Sequence, residues 1–503
     1  MRYLKMLQQV RLRPWIAGSF VTMVGIFASI PSPATDWPMR GRDQSRNPVI
    51  VGDIAPIDWE FSRSSKPSKN IRWEAELGNL SHGDPVISGG LVWVGTNNDE
   101  RRPRDPLHTE DASVLMCFNE RDGTFLYQYL SPRLPEGMAQ DWDVSSQAGS
   151  PLIEGDKLWF CNNRCEVICL DIAALLARTG LPSVVWKLDM RKQLGVVPRG
   201  VMLGSNVAQC SVAGYRDLIY VNTTNAKQYN KIPAPDAPSL ICVDKVTGKV
   251  RWQDNSPGKN LINVQHGSPL VVEMDGQAQV IMGQGDGWVR GFAALTGEVL
   301  WKFDINPKDR EKMKIPSLGI PYLVSMPVFS EGRIFFASGR EYETCGGPGR
   351  LCCVDPSKRG DLSDELVDSA GQIQPNPNSG LVWQYYGASE KEEELMHCTL
   401  SSVAIHQGLV IAPDLTGVVH CLDAASGQVV WTHDSFYQLS GAPLIVGNTI
   451  YISSEEGIEL LELSRQKRLI AERFGRSSFE SSPVFANGIL YAMSRSRLYA
   501  IGK

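Results

Sequence analysis

The chain of 503 residues is 43% hydrophobic and 21% charged, with a formal net charge of −5. That balance is ordinary for a folded protein and excludes wholesale disorder. The acidic sign argues against nucleic acid or anionic lipid as the main partner, since both require basic surfaces.

In chain order, residues 1–34 hold Arg2, Lys5, Arg11 and Arg13 and no acid, with an apolar stretch from Trp15 to Ile30 ahead of Pro31-Ser32-Pro33-Ala34. This reads as a cleaved secretory signal rather than a retained anchor, because about sixteen apolar residues fall short of the roughly twenty that a span requires. Cleavage would take the net charge from −5 to −9 and leave no transmembrane span. Residues 35–69 form an N-terminal extension. Residues 70–77 then read as a strand that carries Trp73 and has no hairpin partner before it.

From there the chain repeats itself. Cys117-Phe-Asn-Glu-Arg-Asp-Gly123-Thr-Phe-Leu-Tyr127 is echoed by Cys242-Val-Asp-Lys-Val-Thr-Gly248-Lys-Val-Arg-Trp252. Gly291-Phe-Ala-Ala-Leu-Thr-Gly297-Glu-Val-Leu-Trp301 and Cys421-Leu-Asp-Ala-Ala-Ser-Gly427-Gln-Val-Val-Trp431 follow the same scheme. Self-similarity at this period marks an array fold. Glycine closing the turn supplies the positive φ that tight hairpins need, so each copy is two antiparallel strands, the second bearing a large aromatic.

A second marker precedes the units, a proline eight residues before a large apolar residue: Pro85 and Trp93, Pro151 and Trp159, Pro327 and Phe335, Pro443 and Tyr451, Pro483 and Tyr491. Proline opens a strand where no ladder N–H is required. The unit is therefore strand A after the proline, then B, C with the small residue, and D with the aromatic. Units fall at about 82–130, 149–190, 206–254, 266–305, 324–386, 400–434, 440–475 and 480–503. The seventh is eroded, with Leu461, Lys467 and Ala471 where cysteine, glycine and tryptophan would stand. The eighth stops at Leu498-Tyr499-Ala500-Ile501, before any strand D. The spare strand at 70–77 matches the missing one, and an open stack would leave two exposed edges. The sequence thus predicts an all-β fold over residues 70–503: an eight-bladed β-propeller of four-stranded antiparallel blades, closed by the N-terminal strand completing the last blade.

Of eleven cysteines, Cys117, Cys169, Cys242, Cys353 and Cys421 occupy one repeat position, which Gly291 and Ala500 fill elsewhere. That is a slot for a small buried side chain rather than a disulfide framework. Pairing of Cys345 with Cys352 across the Gly-Gly-Pro-Gly turn, and the state of Cys161 and Cys165, stay open at this stage.

The repeats resemble the pyrroloquinoline-quinone-type (PQQ-like) propeller family, which includes quinoprotein alcohol dehydrogenases and the propeller lipoprotein of the outer-membrane β-barrel assembly machinery. The resemblance covers about residues 70–503. It implies that Trp73, Trp186, Trp252, Trp301, Trp383 and Trp431 form a structural girdle between blades rather than cofactor clamps. The dehydrogenases set an adjacent-cysteine disulfide against their quinone; Cys352-Cys353 matches superficially, but Cys353 falls in the ordinary strand-C slot. No Asn/Glu/Asp set aligns with their Ca²⁺ cage and catalytic aspartate, and Asp141-Trp142-Asp143 has no ligand spacing beyond the pair. Cys161 and Cys165 are followed by Glu166, so no heme-attachment motif is present. Catalytic residues, metal and cofactor are accordingly not expected, and PQQ with Ca²⁺ enters only through the dehydrogenase alternative. The assembly lipoprotein's lipid-bearing cysteine has no counterpart either, since the first cysteine is Cys117.

Long insertions fall between strands B and C of units one, three and five, and between D and the next A at Ser131–Ala148, Asn306–Leu323 and Gly387–Thr399. In this architecture those connections share one face, and loops on a rigid scaffold commonly carry binding. Residues just ahead of strand A ring the channel mouth on that face. Candidate binding residues there are His82, Asp84, Asp143, Gln209, His266, His397 and Glu480, with His82 and Glu480 neighbours across the seam. The expected function is an exported periplasmic or cell-envelope scaffold, a monomer or a subunit of an envelope complex, that binds a protein or glycan partner through its looped face. The alternative is a PQQ-dependent quinoprotein dehydrogenase-like oxidoreductase.

Overall fold

The structure is a computed structural model. It describes residues 35–62, 68–98, 112–134, 147–198, 210–227, 231–262, 265, 267–306, 308, 323–339, 349–389, 391, 394–400 and 402–502. These residues form eight antiparallel blades around an axis. The innermost strands, A, are Val86–Ser88, Leu152–Glu154, Ala213–Tyr215, Leu270–Met274, Val328–Ser330, Ala404–His406, Leu444–Val446 and Val484–Ala486. The ring closes as the repeat arithmetic requires. Ile71–Glu76 pairs antiparallel with Arg497–Ile501 as the fourth strand of blade eight, with Trp73 opposite Ala500.

The repeat position that holds cysteine has a common geometry. Cys117, Cys169, Cys242, Cys353 and Cys421 lie opposite Tyr127, Trp186, Trp252, Trp383 and Trp431, and each is followed by a β-bulge or register shift. In blade seven the register corrects the sequence reading by one residue: Leu460, not Leu461, faces Ala471. That hairpin carries one residue more than its counterparts, so counting back from the aromatic position stops one residue short. All ten described cysteines are buried free thiols, Cys161, Cys165, Cys352 and Cys353 among them. Cys345 lies outside the described residues.

The core sits between blades. Tyr220 and Cys242 of blade three, for example, meet Val280 and Phe292 of blade four. Five of the strand-D tryptophans fasten their blade to the next one by a hydrogen bond. The indole N–H groups of Trp73, Trp186, Trp252, Trp383 and Trp431 donate to the carbonyls of Glu120, Lys245, Ala294, Ala424 and Ser464. Trp301 departs from this scheme and donates to Gln279 Oε1 in its own blade at 2.8 Å, while Gln279 Nε2 reaches Pro356 of blade five at 3.4 Å. Blade five carries the inserted segment Lys358–Gly380 at that turn. Gly360–Asp361 of the insert pairs parallel with strand D of blade four, covering an edge that no strand among the described residues covers in the other blades.

The N-terminal extension occupies the axis, which the sequence did not announce. Thr35 O accepts from Asn487 N and Asp36 from Gly89 N, both at A–B turns. Trp37 forms a bridge with Ile87, and Pro38 O accepts from Ile153 N, on the strands A of blades one and two. Arg40 and Arg46 reach the far ends of these inner strands. The chain then descends past Phe329 of blade five, Ile405 of blade six and Ile445 of blade seven, where Val49–Ile50 adds a parallel strand. An innermost strand is otherwise an edge with unpaired backbone groups. Here one segment satisfies part of that edge in most blades.

Candidate functional site

The site grows from the residues that lead into the strands A. His82 and Glu480 meet across the closure seam, with His82 Nδ1 at 3.0 Å from Glu480 Oε2. Glu480 Oε1 accepts from Ser478 Oγ at 3.1 Å and lies 3.5 Å from Arg495 Nε. Ser440 of blade seven donates its hydroxyl to the Glu480 carbonyl. Burial pushes the Glu480 carboxyl up, but the His82 hydrogen bond and charge, with Arg495 and Ser478, outweigh it and hold the group below the usual carboxylate range.

A second rung lies two residues further along each segment. Asp84 Oδ1 accepts the Ser482 amide at 2.8 Å, and Oδ2 is 3.0 Å from Arg40 Nε of the axial segment. Asp84 belongs to a belt that the sequence reading passed over. The positions just before the strand-A proline, or its equivalent, are Asp84, Ser150, Ser211, Ser268, Met326, Ser402, Ala442 and Ser482. At four blade junctions the side-chain oxygen accepts the amide of the same position in the preceding blade: Ser150 to Ser211, Ser211 to Ser268, Ala442 to Ser482 and Ser482 to Asp84. Short oxygen side chains fit because neighbouring chains converge at the axis. The signal was present as a serine-rich column once the repeats are stacked.

Beneath this belt two guanidinium groups stand close together. Arg46 is fully buried, with Nη1 on the Arg40 carbonyl and Nη2 on the carbonyls of Val212 and Pro269. Burial, and then repulsion from Arg40, push its pKa down to about 10. No carboxylate among the described residues lies within ion-pair distance of it. Arg40 spends only its Nε on Asp84; its terminal nitrogens have no hydrogen bond to the described protein, and the side chain is 20% exposed.

His397 donates its backbone amide to Asp414 Oδ2 beside blade six. Asp143, Gln209 and His266 lie outside the described residues, as do Asp141 and most of the long loops. Within the described part of the looped face, Ala226 of blade three clusters with Cys398 and Leu415 of blade six, and Ile262 and Leu400 rest against them. A buried relay unforeseen from sequence lies nearby: Asp414 Oδ2, His420 Nε2 at 3.1 Å, and Tyr385 Oη at 3.0 Å from His420 Nδ1. Its groups are partnered and closed to water, which makes it a fastener between blades five and six.

The quinone and Ca²⁺ of the dehydrogenase alternative do not fit these residues. Among the described residues no three His, Cys, Asp or Glu side chains cluster as a metal site. Cys352 and Cys353 point into two different interblade cores, and the axial space is taken by the chain's own Arg40–Asn47 segment.

Fold and site together define a repeat-propeller scaffold with a filled axis and a polar mouth. A family model described as outer membrane protein assembly factor BamB matches residues 183–361 and 376–503. The chain belongs to that family. Among solved structures, BamB from Moraxella catarrhalis is 14% identical with a TM-score of 0.49, covering 79% of this chain and 95% of that one. A europium-containing methanol dehydrogenase is 11% identical with a TM-score of 0.47, covering 94% and 98%. The quinohemoprotein alcohol dehydrogenase from Comamonas testosteroni is 11% identical with a TM-score of 0.47, covering 94% and 81%. Comparison with curated proteins gives no match. Among the described residues no helix is long and apolar enough to cross a membrane.

Proposed function

We propose that this protein is an exported envelope scaffold that binds a protein partner through its looped face. The observation that carries this reading is the filled axis: Arg40, Arg46 and Asn47 take the central space where a channel-bound cofactor would need room. Binding is then left to the looped rim. That rim presents Phe436, 83% exposed and held at a positive φ of 61° in the connection from blade six to blade seven. A bulky residue in this conformation is strained, and such strain persists where the surroundings enforce it. Phe436 N bonds to Asp434 Oδ1, and Ser435 Oγ bonds to Tyr437 O, so the ring is offered outward on a braced turn. Large aromatics of this kind anchor protein interfaces. Family membership supports an envelope setting.

The test places a photo-crosslinking amino acid at Phe436 and, as a comparison, at Val246 on a C–D turn of the opposite face. A discrete crosslinked species from position 436 alone in intact cells is expected. Equal crosslinking from both positions would overturn the looped-face reading, as would stoichiometric quinone binding with dye-linked alcohol oxidation.

A further inference from the structure

We infer that the seam of the looped-face mouth is a receptor for a single carboxylate, with the fork of Arg40 as its binding group. The inference rests on the scaffold reading for the source of the ligand, a partner's chain terminus or acidic side chain, but its chemistry stands on the site alone. Arg40 offers two terminal nitrogens without partners among the described residues, at the base of the rung formed by Asp84 and Ser482. A guanidinium fork matches a carboxylate in two parallel hydrogen bonds.

Charge selects the ligand further. Arg46 is fully buried, its Nε lacks a hydrogen-bond partner, and its other contacts are carbonyls only. A buried cation without a counter-ion is costly, and the penalty falls when an anion settles near it. Arg40, Arg46 and Arg495 stand among the carboxylates of Asp43, Asp84 and Glu480, with His82 beside them. Such a setting disfavours a doubly charged phosphate, which the lining carboxylates of Asp84 and Glu480 would repel. The extension rises from the plain face to this level. His82 and Arg495, about a third and a half exposed, stand at the rim and supply further donors.

The test is calorimetric titration of the purified full chain with acetate, with a short neutral peptide ending in a free carboxylate, and with the same peptide amidated. The free-acid peptide is expected to bind at least about tenfold more tightly than the amide, a difference on the order of 1.4 kcal/mol. Acetate should compete with it more weakly than the peptide binds. Arg40→Gln should abolish binding and Arg40→Lys should weaken it several-fold, because lysine keeps the charge and loses the fork. Arg40→Gln leaves Asp84 unpaired, so Arg40→Gln with Asp84→Asn serves as the folded counterpart, verified by its melting curve. Equal binding of acid and amide, or unaltered binding by the folded double variant, would overturn the receptor. Equal affinity for acetate and peptide would overturn a protein source. Carboxylate binding without a crosslink from Phe436 would sink the looped-face reading and leave the receptor standing; a crosslink without carboxylate binding would do the reverse.

Discussion

The indole of Trp73 donates to the carbonyl of Glu120 at 2.9 Å, so the residue that completes blade eight also fastens that blade to blade one. Its ring lies over the turn at Gly123, where an added Cβ would come 2.6 Å from the indole. The same strand continues the seam, with Arg497 facing Glu74 and Glu76. One strand thus closes the ring twice, by its ladder and by its aromatic.

Trp73→Ala should cost about 3–5 kcal/mol, the range for a large buried aromatic. Deleting residues 70–77 should destabilise the protein far more than removing as many residues from the exposed hairpin Glu365–Pro375. Melting curves of both deletions decide this, and equal melting would refute closure by the N-terminal strand.

Gly248 and Gly276 both have positive φ, at 69° and 76°. Alanine at Gly276 meets nothing within 4 Å and should cost about 1–2 kcal/mol from backbone conformation alone. Alanine at Gly248 would place its Cβ 2.6 Å from the Trp186 ring and should cost a further 1–3 kcal/mol, roughly, from overpacking. Urea denaturation of the two variants separates the contributions; similar losses would show that the ring does not clamp the turn.

Arg46→Met removes the partner of three carbonyls, those of Arg40, Val212 and Pro269. Each unsatisfied buried acceptor costs about 1–3 kcal/mol, partly offset by no longer burying a charge. A net loss of about 2–4 kcal/mol in chemical denaturation is expected. A neutral result would mean that the axial segment contributes little to stability.

Acid should loosen the seam. Glu480 is held below its ordinary pKa, so the stability it contributes is complete above about pH 4.5 and disappears as pH falls through the depressed folded value. Glu480→Gln removes this dependence. The stability difference between the natural protein and the variant should therefore shrink as pH drops from about 5 to 3. A difference that stays constant over that range would contradict the assignment.

Burial pushes the thiols of Cys353 and Cys421 up to about 12. The ten described cysteines should resist a thiol reagent at neutral pH until the protein unfolds. Prompt labelling of any of them in the native state, located by peptide mapping, would contradict their burial.

Much of this architecture was legible in the chain. Turn glycines, strand-A prolines and the in-phase cysteines are local requirements repeated at a fixed period, and repetition makes a weak local signal readable. Neighbourhood across the seam was legible too, because His82 and Glu480 hold the same repeat position in adjacent blades. Where an extra residue broke the period, reading failed: in blade seven the register shifts by one residue.

The sequence by itself determined the number of blades and their closure by the strand at 70–77, because both follow from periodic patterning. Only the tertiary structure decided what fills the axis. Arg40 and Arg46 sit outside the repeat, and their partners Asp84, Val212 and Pro269 are remote in the chain. No spacing rule connects such residues; the convergence of the inner strands on one line does.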